Sequence, residues 1–211
     1  MYGVLETKAP MDTRPFALHR RQMLAASLGA VVMAMQPGAQ AAEPRKPDAL
    51  TISFRGTSFV HRWSKDGQHE FTPQGEADLK AWRDMVTFNV HEAVTQGEQL
   101  ATVANKVLGN YQQHGKILQT RSVPRTPERP AEHLIVAVLG TPQLLEAVFA
   151  RCLLRDGMGM IAVVSHRVYG KGVGPEMSDW LKANGPQVEQ ALMAWAPLPS
   201  VATLKRLNSV A

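Results

Sequence analysis

Residues 144–169 read LLEAVFARCLLRDGMGMIAVVSHRVY, and this stretch favours an antiparallel β-sheet. The first apolar run, residues 144–154, is compatible with either a helix or a strand by composition alone. A glycine-rich segment around Asp156-Gly157, a dipeptide typical of tight hairpin turns, separates it from a second apolar run. We therefore predict two antiparallel strands, in which Glu146 lies nearly opposite Arg167.

The segments just before this hairpin also have the character of strands. Residues 116–123 and 133–139 are predicted strands, and PRTPERP at 124–130 separates them because its three prolines cannot continue a strand ladder. Charged side chains in this region are expected at an exposed sheet edge, where they discourage aggregation. This basic edge consists of Arg121, Arg125 and Arg129.

The N-terminal part of the domain has its own hairpin signal. Residues 51–72 are predicted to form two strands joined by a turn at Asp66-Gly67. The large apolar residues change parity after Gly56, and a β-bulge at this glycine explains the change.

Three regions carry helical signals, and residues 87–91 between the first two alternate like a short strand. The first helix is predicted to open at Thr72-Pro73, with apolar residues at helical spacing: Leu79, Trp82, Met85 and Val86. The second follows Thr95 and ends at Gly115, with a buried stripe: Leu100, Val103, Val107 and Tyr111. The third helical region carries Trp180, Leu181, Val188, Leu192 and Trp195. Asn184-Gly185-Pro186 is expected to break or kink it.

This order of elements predicts an α+β fold. We expect a mostly antiparallel sheet of about five to seven strands, packed by two or three helices. The order is similar to that of the PsbP/Mog1-like sandwiches, a likeness of fold that no motif carries. The predicted division is a signal peptide at 1–41, a flexible Pro-rich lead at 42–50, one domain at 51–200 and a C-terminal tail or short amphipathic helix at 201–211.

The N-terminal region has the three parts of a cleaved export signal. Arg20 and Arg21 give a basic start, an uncharged run shorter than the about 20 residues of a membrane span follows, and Ala39 and Ala41 form an A-x-A cleavage pattern. HRRQML resembles the bacterial twin-arginine signal in its two arginines and Leu24, and an ordinary secretory signal remains the alternative. A periplasmic or secreted location is expected, with the export machinery as a partner.

The overall charge argues against nucleic acid as a partner. Four of the 23 Lys and Arg residues and two of the 18 Asp and Glu residues lie in 1–41, so removing this segment lowers the net charge from +5 to +3. A nucleic-acid binder is usually far more basic. Aromatic residues make up only 6% of the chain, which also argues against a platform for stacking bases.

Catalytic and metal sites find little support in the spacing of reactive residues. Cys152 is the only cysteine, and in the predicted hairpin it lies on the face opposite His166, so the two cannot form a nucleophile–base pair. His91-Glu92 lacks the second histidine of an H-E-x-x-H metal motif. His61 and His69 are expected on opposite faces of the first hairpin. We therefore predict no catalytic residue, no metal site and no cofactor.

One loop could bind a small anionic ligand. YGKGVGPEMS at 169–178 frees backbone N–H groups ahead of a helix, although it lacks the spacing of a phosphate-binding loop. The predicted ligand-binding residues are Arg167, Lys171, Gly172 and Gly174.

The leading functional hypothesis is an exported domain that binds a protein partner or small ligand without catalysis. The main alternative is a small periplasmic enzyme, or a cofactor or metal carrier, exported by the twin-arginine route. It would use His91 with Glu92, or Cys152 with His166. A purely structural envelope protein is the third hypothesis. The basic edge suggests docking to an acidic partner or an anionic surface.

Overall fold

The computed structural model describes residues 49–141 and 143–209, which belong to one compact unit. The predicted signal peptide, with Arg20, Arg21, Ala39 and Ala41, lies outside the described residues, as does most of the predicted lead.

One antiparallel sheet of eight strands organises the described residues, with strand order β1-β2-β3-β4-β8-β7-β6-β5. The predicted α+β class is confirmed, and the sheet has more strands than the five to seven expected. In chain order the elements are β1 (Thr51–Phe54), β2 (Thr57–Lys65), β3 (Gln68–Pro73), β4 (Asp84–His91), α1 (Gly97–His114), β5 (Gly115–Val123), β6 (Glu132–Thr141), β7 (Leu144–Arg155), β8 (Met158–Tyr169), α2 (Val173–Ala194), α3 (Val201–Lys205) and a short 3₁₀ helix (Arg206–Ser209).

The predicted hairpin of β7 and β8 is confirmed. Its two-residue turn is Asp156-Gly157, with φ of 52° and 75°. Positive φ at both turn residues matches the right-handed twist of the two strands that the turn joins. Glu146 lies directly opposite Arg167, and Cys152 lies opposite Ile161. The apolar composition of β7 reflects burial on both faces, which is why periodicity alone could not separate strand from helix.

The sheet is covered on both faces at its β5–β8 end. Helix α1 packs on β5, β6 and β7, and its buried Tyr111 lies on the same face as Cys152. Helix α2 packs on β7 and β8 from the opposite side. Phe149 and Leu192 belong to the large core under α2, which continues beneath α3.

The predicted helix at 73–86 is wrong. Strand β3 extends to Pro73 and β4 starts at Asp84, with a turn-rich connection between them. Met85 and Val86 are both buried although they are neighbours in a strand. Because the sheet is buried on both faces here, consecutive apolar residues imitate helical spacing.

The predicted bulge at Gly56 is also wrong. Arg55-Gly56, with φ of 48° and 79°, forms the turn between β1 and β2 rather than a bulge within one strand. Helix α2 continues through Asn184-Gly185-Pro186, so the expected break is absent, while a kink at Pro186 stays a prediction. A Cβ on the buried Gly185 would lie 4.0 Å from the Phe149 ring, an ordinary van der Waals distance, so the packing of α2 on β7 does not require glycine here.

Candidate binding surface

The structure separates Cys152 from His166, as the strand parity predicts. His166 faces α2, where its ring stacks on Trp180 at a centroid distance of 4.0 Å and its Nδ1 donates to Asp84 Oδ1 at 2.9 Å. Cys152 is fully buried on the α1 side, and burial raises the pKa of its thiol to about 12. A thiol with this pKa is not a nucleophile near neutral pH.

Sequence reasoning missed the contact of His166 with Asp84 and Trp180. Asp84 is the first residue of β4 and pairs directly with His166 of β8, 82 residues away. No local spacing signals this contact, because it depends on β4 pairing with β8 rather than with the next strand in the chain. A histidine–carboxylate pair can assist proton transfer, but here it also ties α2 to two strands.

The predicted ligand-binding residues do not converge. The Arg167 Nε donates to Glu146 Oε2 at 2.8 Å, and its guanidinium lies 3.9 Å from the centre of the Trp82 ring. This places Arg167 on the α1 side of the sheet, with its charge already matched. Lys171, Gly172 and Gly174 are exposed around the start of α2, which packs on the other side.

The predicted placement of His61 and His69 on opposite faces is wrong. A bulge between His61 and Trp63 shifts the register, so both histidines contact the buried Ser64 Oγ, at 2.7 Å from His61 Nε2 and 2.8 Å from His69 Nδ1. His69 is fully buried, and burial lowers its pKa to about 4. The imidazole of His69 is therefore neutral at physiological pH and serves the packing of β2 on β3.

The other candidate ligands are dispersed. Within residues 49–141 and 143–209, no three His, Cys, Asp or Glu side chains are grouped as a metal site would require. Glu92 pairs with Lys205 Nζ at 2.7 Å, and burial lowers the pKa of His91. The structure therefore gives His91 and Glu92 separate partners and surroundings, and does not bring them together as the catalytic pair that the sequence suggested.

The β5 edge has the geometry of a docking surface. Strand β5 is the last in the sheet order, so only its β6 side is paired among the described residues. It has nine residues, whereas β1 at the opposite edge has four. The outer side of β5 therefore presents a long row of unpaired backbone groups, which is the standard template for strand addition.

Side chains on β5 create an open depression beside α2. Arg121 Nη1 lies 3.2 Å from Glu189 Oε1, and Gln119 Nε2 donates to the same carboxylate oxygen at 3.2 Å. The depression has a volume of about 400 Å³. Its lining combines apolar and polar groups: Arg121, Pro186, Glu189, Gln190, Met193 and Ala194.

The same edge is basic and partly apolar. Residues 115–131 contain four basic side chains and one acidic side chain: Lys116, Arg121, Arg125, Arg129 and Glu128. Leu118 is 44% exposed, one of two large hydrophobic residues left exposed in the described chain. Backbone hydrogen bonds between Thr126 and Arg129 make the loop after β5 a compact turn, which holds this charge near the end of the strand.

Comparisons with known proteins find only distant structural similarity. No protein-family model and no curated protein matches the chain. The Ran-binding protein Mog1p of Saccharomyces cerevisiae is 11% identical, with 69% of this chain and 90% of that chain covered and a TM-score of 0.43. The protein of unknown function PA94 from Pseudomonas aeruginosa is 11% identical, with 72% and 99% covered and a TM-score of 0.41.

Proposed function

We propose that this chain is an exported binding domain that docks a partner protein along strand β5 and performs no chemistry of its own. Export is inferred from the sequence signals at 1–41, with Arg20-Arg21 and the Ala39/Ala41 cleavage pattern. None of the helices in the described residues is long and apolar enough to cross a membrane.

The observation that carries this function is the open edge of β5. Its paired side is regular from Gln119 to Val123, and its outer side is free among the described residues. A long free edge is a liability for aggregation unless it is covered or used. Arg121 does not cover it, because its guanidinium turns toward Glu189 on α2. A binding role explains why this edge stays long and accessible.

A small periplasmic enzyme is the second candidate. The 2.9 Å contact between His166 and Asp84 favours it, since such a pair can accept a proton from a bound substrate. If an activity is found, it should be lost in His166→Ala and reduced in Asp84→Asn while folding is retained. Activity unchanged in both variants would exclude this site.

Site-specific photo-crosslinking in the native cell tests the binding function. A photoreactive amino acid replaces Leu118 on β5, and the matched control replaces the exposed Ser53 on the opposite edge strand β1. Intact cells are irradiated first, and cell fractionation afterwards tests export at the same time.

We expect a discrete crosslinked protein at Leu118 in the periplasmic or secreted fraction, and a much weaker product at Ser53. Retention of the full-length precursor in the cytoplasm would contradict export. Equal products at both edges, or none at Leu118, would contradict docking along β5.

A further inference from the structure

We propose that the partner's docking segment is an extended acidic strand that adds to β5 as the ninth strand of the sheet. This inference rests on the proposed docking function and specifies its partner chemistry. Main-chain hydrogen bonds supply affinity in such additions, and alternate side chains supply specificity.

The length and regularity of β5 suit strand addition. Nine residues of extended chain span about 30 Å, which accommodates a strand of average length. The bulge between Ile117 and Gln119 divides the edge, and residues 119–123 pair with β6 without interruption. We assign the incoming strand to this regular stretch, since a bulge disrupts the ladder locally.

The opposite edge of the sheet is a poorer template. Strand β1 has four residues, and short edge strands are a common protection against unwanted pairing. The two edges therefore differ in length, and β1 provides an internal control.

Charge selects an acidic partner over a second copy of this chain. Residues 115–131 carry a net charge of +3 from the four basic side chains and Glu128. Lys116, Arg125 and Arg129 are exposed and have no ion pair with any described residue. Pairing two copies through β5 would bring these charges together, whereas glutamate or aspartate side chains would complement them.

The side chains on the α2 side of β5 favour a peptide strand over a flat anionic surface. Arg121 and Gln119 converge on Glu189 at the open depression of about 400 Å³ beside α2. A side chain of the added strand on this face would lie above the depression, since alternate residues share one face. Exposed Leu118 adds an apolar contact at the end of the regular stretch.

A fluorescent peptide of about ten residues, in which glutamate alternates with valine and threonine, tests this inference on the purified domain. A second peptide is N-methylated at alternate residues on one edge, which removes its donors without changing its charge. A third replaces glutamate with glutamine. The test variant of the protein combines Arg125→Glu with Arg129→Glu. The control variant has the same charge change away from β5, at the end of β2 and in the β3–β4 connection: Lys65→Glu with Lys80→Glu.

We expect binding of the first peptide to weaken at least about tenfold on N-methylation, on replacement of glutamate, and in the Arg125/Arg129 variant. The Lys65/Lys80 control should bind within about twofold of the original protein. The first peptide should also protect from hydrogen exchange the outward-facing amides among residues 119–123, since the others already bond to β6.

Three results would overturn strand addition. N-methylation could leave binding unchanged, anionic phosphatidylglycerol vesicles could bind while the peptide does not, or the domain could self-associate through β5 in native mass spectrometry. If the Leu118 crosslink to a cellular protein persists in any of these cases, docking at β5 stands and only the strand mechanism fails. If that crosslink is also absent, the proposed function fails as well.

Discussion

Arg151 joins the sheet to the end of α2 through four hydrogen bonds of its guanidinium group. Its guanidinium donates to both carboxylate oxygens of Glu132, at 2.8 and 3.1 Å, and to the carbonyls of Leu192 and Trp195, at 2.9 and 3.1 Å. Glu132 and Arg151 are each only 7% exposed. A buried ion pair is costly to break because the remaining charge cannot reach water.

The first prediction is that Arg151→Ala lowers the free energy of unfolding by about 3–5 kcal/mol. The change leaves Glu132 buried without its partner and removes the donor to two carbonyls at the end of α2. Urea unfolding measures it. The control is Arg155→Ala, because Arg155 is about one third exposed and donates to the Leu198 carbonyl, and we expect a loss near 1 kcal/mol. Equal losses would mean that the buried pair adds no special stability.

His69 makes stability depend on pH. Its pKa in the folded protein is about 4, below the 6.5 of an exposed histidine. Between these values the unfolded chain binds a proton that the folded chain excludes, so the free energy of unfolding falls as pH falls. Burial also lowers the pKa of His61, His91 and His133, and these act in the same direction.

The second prediction is that His69→Gln reduces the loss of stability between pH 7 and pH 4. Glutamine keeps a polar partner for Ser64 but does not titrate, so the difference in slope between the two proteins reports His69. The full contribution is at most about 3 kcal/mol. Urea unfolding across this pH range measures the slope, and parallel curves for the two proteins would contradict the prediction.

Among the elements, the connection between β6 and β7 shows how closely the strands approach. Gly140 has φ of 134°, and a Cβ there would overlap the Leu144 carbonyl oxygen across the ladder. Gly157, in the turn between β7 and β8, has φ of 75° with open space around the added atom. Alanine at Gly140 would therefore meet both steric overlap and backbone strain, whereas alanine at Gly157 would meet backbone strain alone.

The third prediction is that Gly140→Ala destabilises the protein by about 2–4 kcal/mol, since β6 and β7 must move apart or the turn must change. Gly157→Ala should cost only about 1 kcal/mol, from the left-handed backbone alone. Thermal unfolding of both variants measures the comparison. A smaller loss at Gly140 than at Gly157 would show that the overlap is relieved locally.

In the whole molecule, Cys152 reports opening of the layer between α1 and the sheet. The thiol is fully buried, and its pKa is raised to about 12 by that burial. Reaction with a thiol reagent requires both exposure and deprotonation.

The fourth prediction is that Cys152 reacts with a thiol reagent only through unfolding of this layer. Its labelling rate should rise with urea in parallel with the population of open protein. In Cys152→Ala with Leu118→Cys, the exposed thiol should react at once in the folded state. Fast labelling of Cys152 in native buffer would contradict its buried position.

Much of the antiparallel fold was predictable from local sequence. The Asp66-Gly67 and Asp156-Gly157 turns, and helix α1 up to Gly115, depend on chemistry within a few residues. Strand parity was also sufficient to separate Cys152 from His166, because alternate residues in a strand face opposite sides. The charge of the β5 region could be read from its arginines before its position in the sheet was known.

Contacts between distant segments could not be predicted in the same way. The pairing of β4 with β8 brings Asp84 to His166, and burial of both faces turned a predicted helix around Val86 into a strand. A single bulge after His61 placed two histidines on one face against the expected parity. The position of β5 at an open edge is likewise a property of the strand order. Local spacing specifies turns and faces, whereas partner strands and exposed edges depend on how the whole sheet buries its apolar surface.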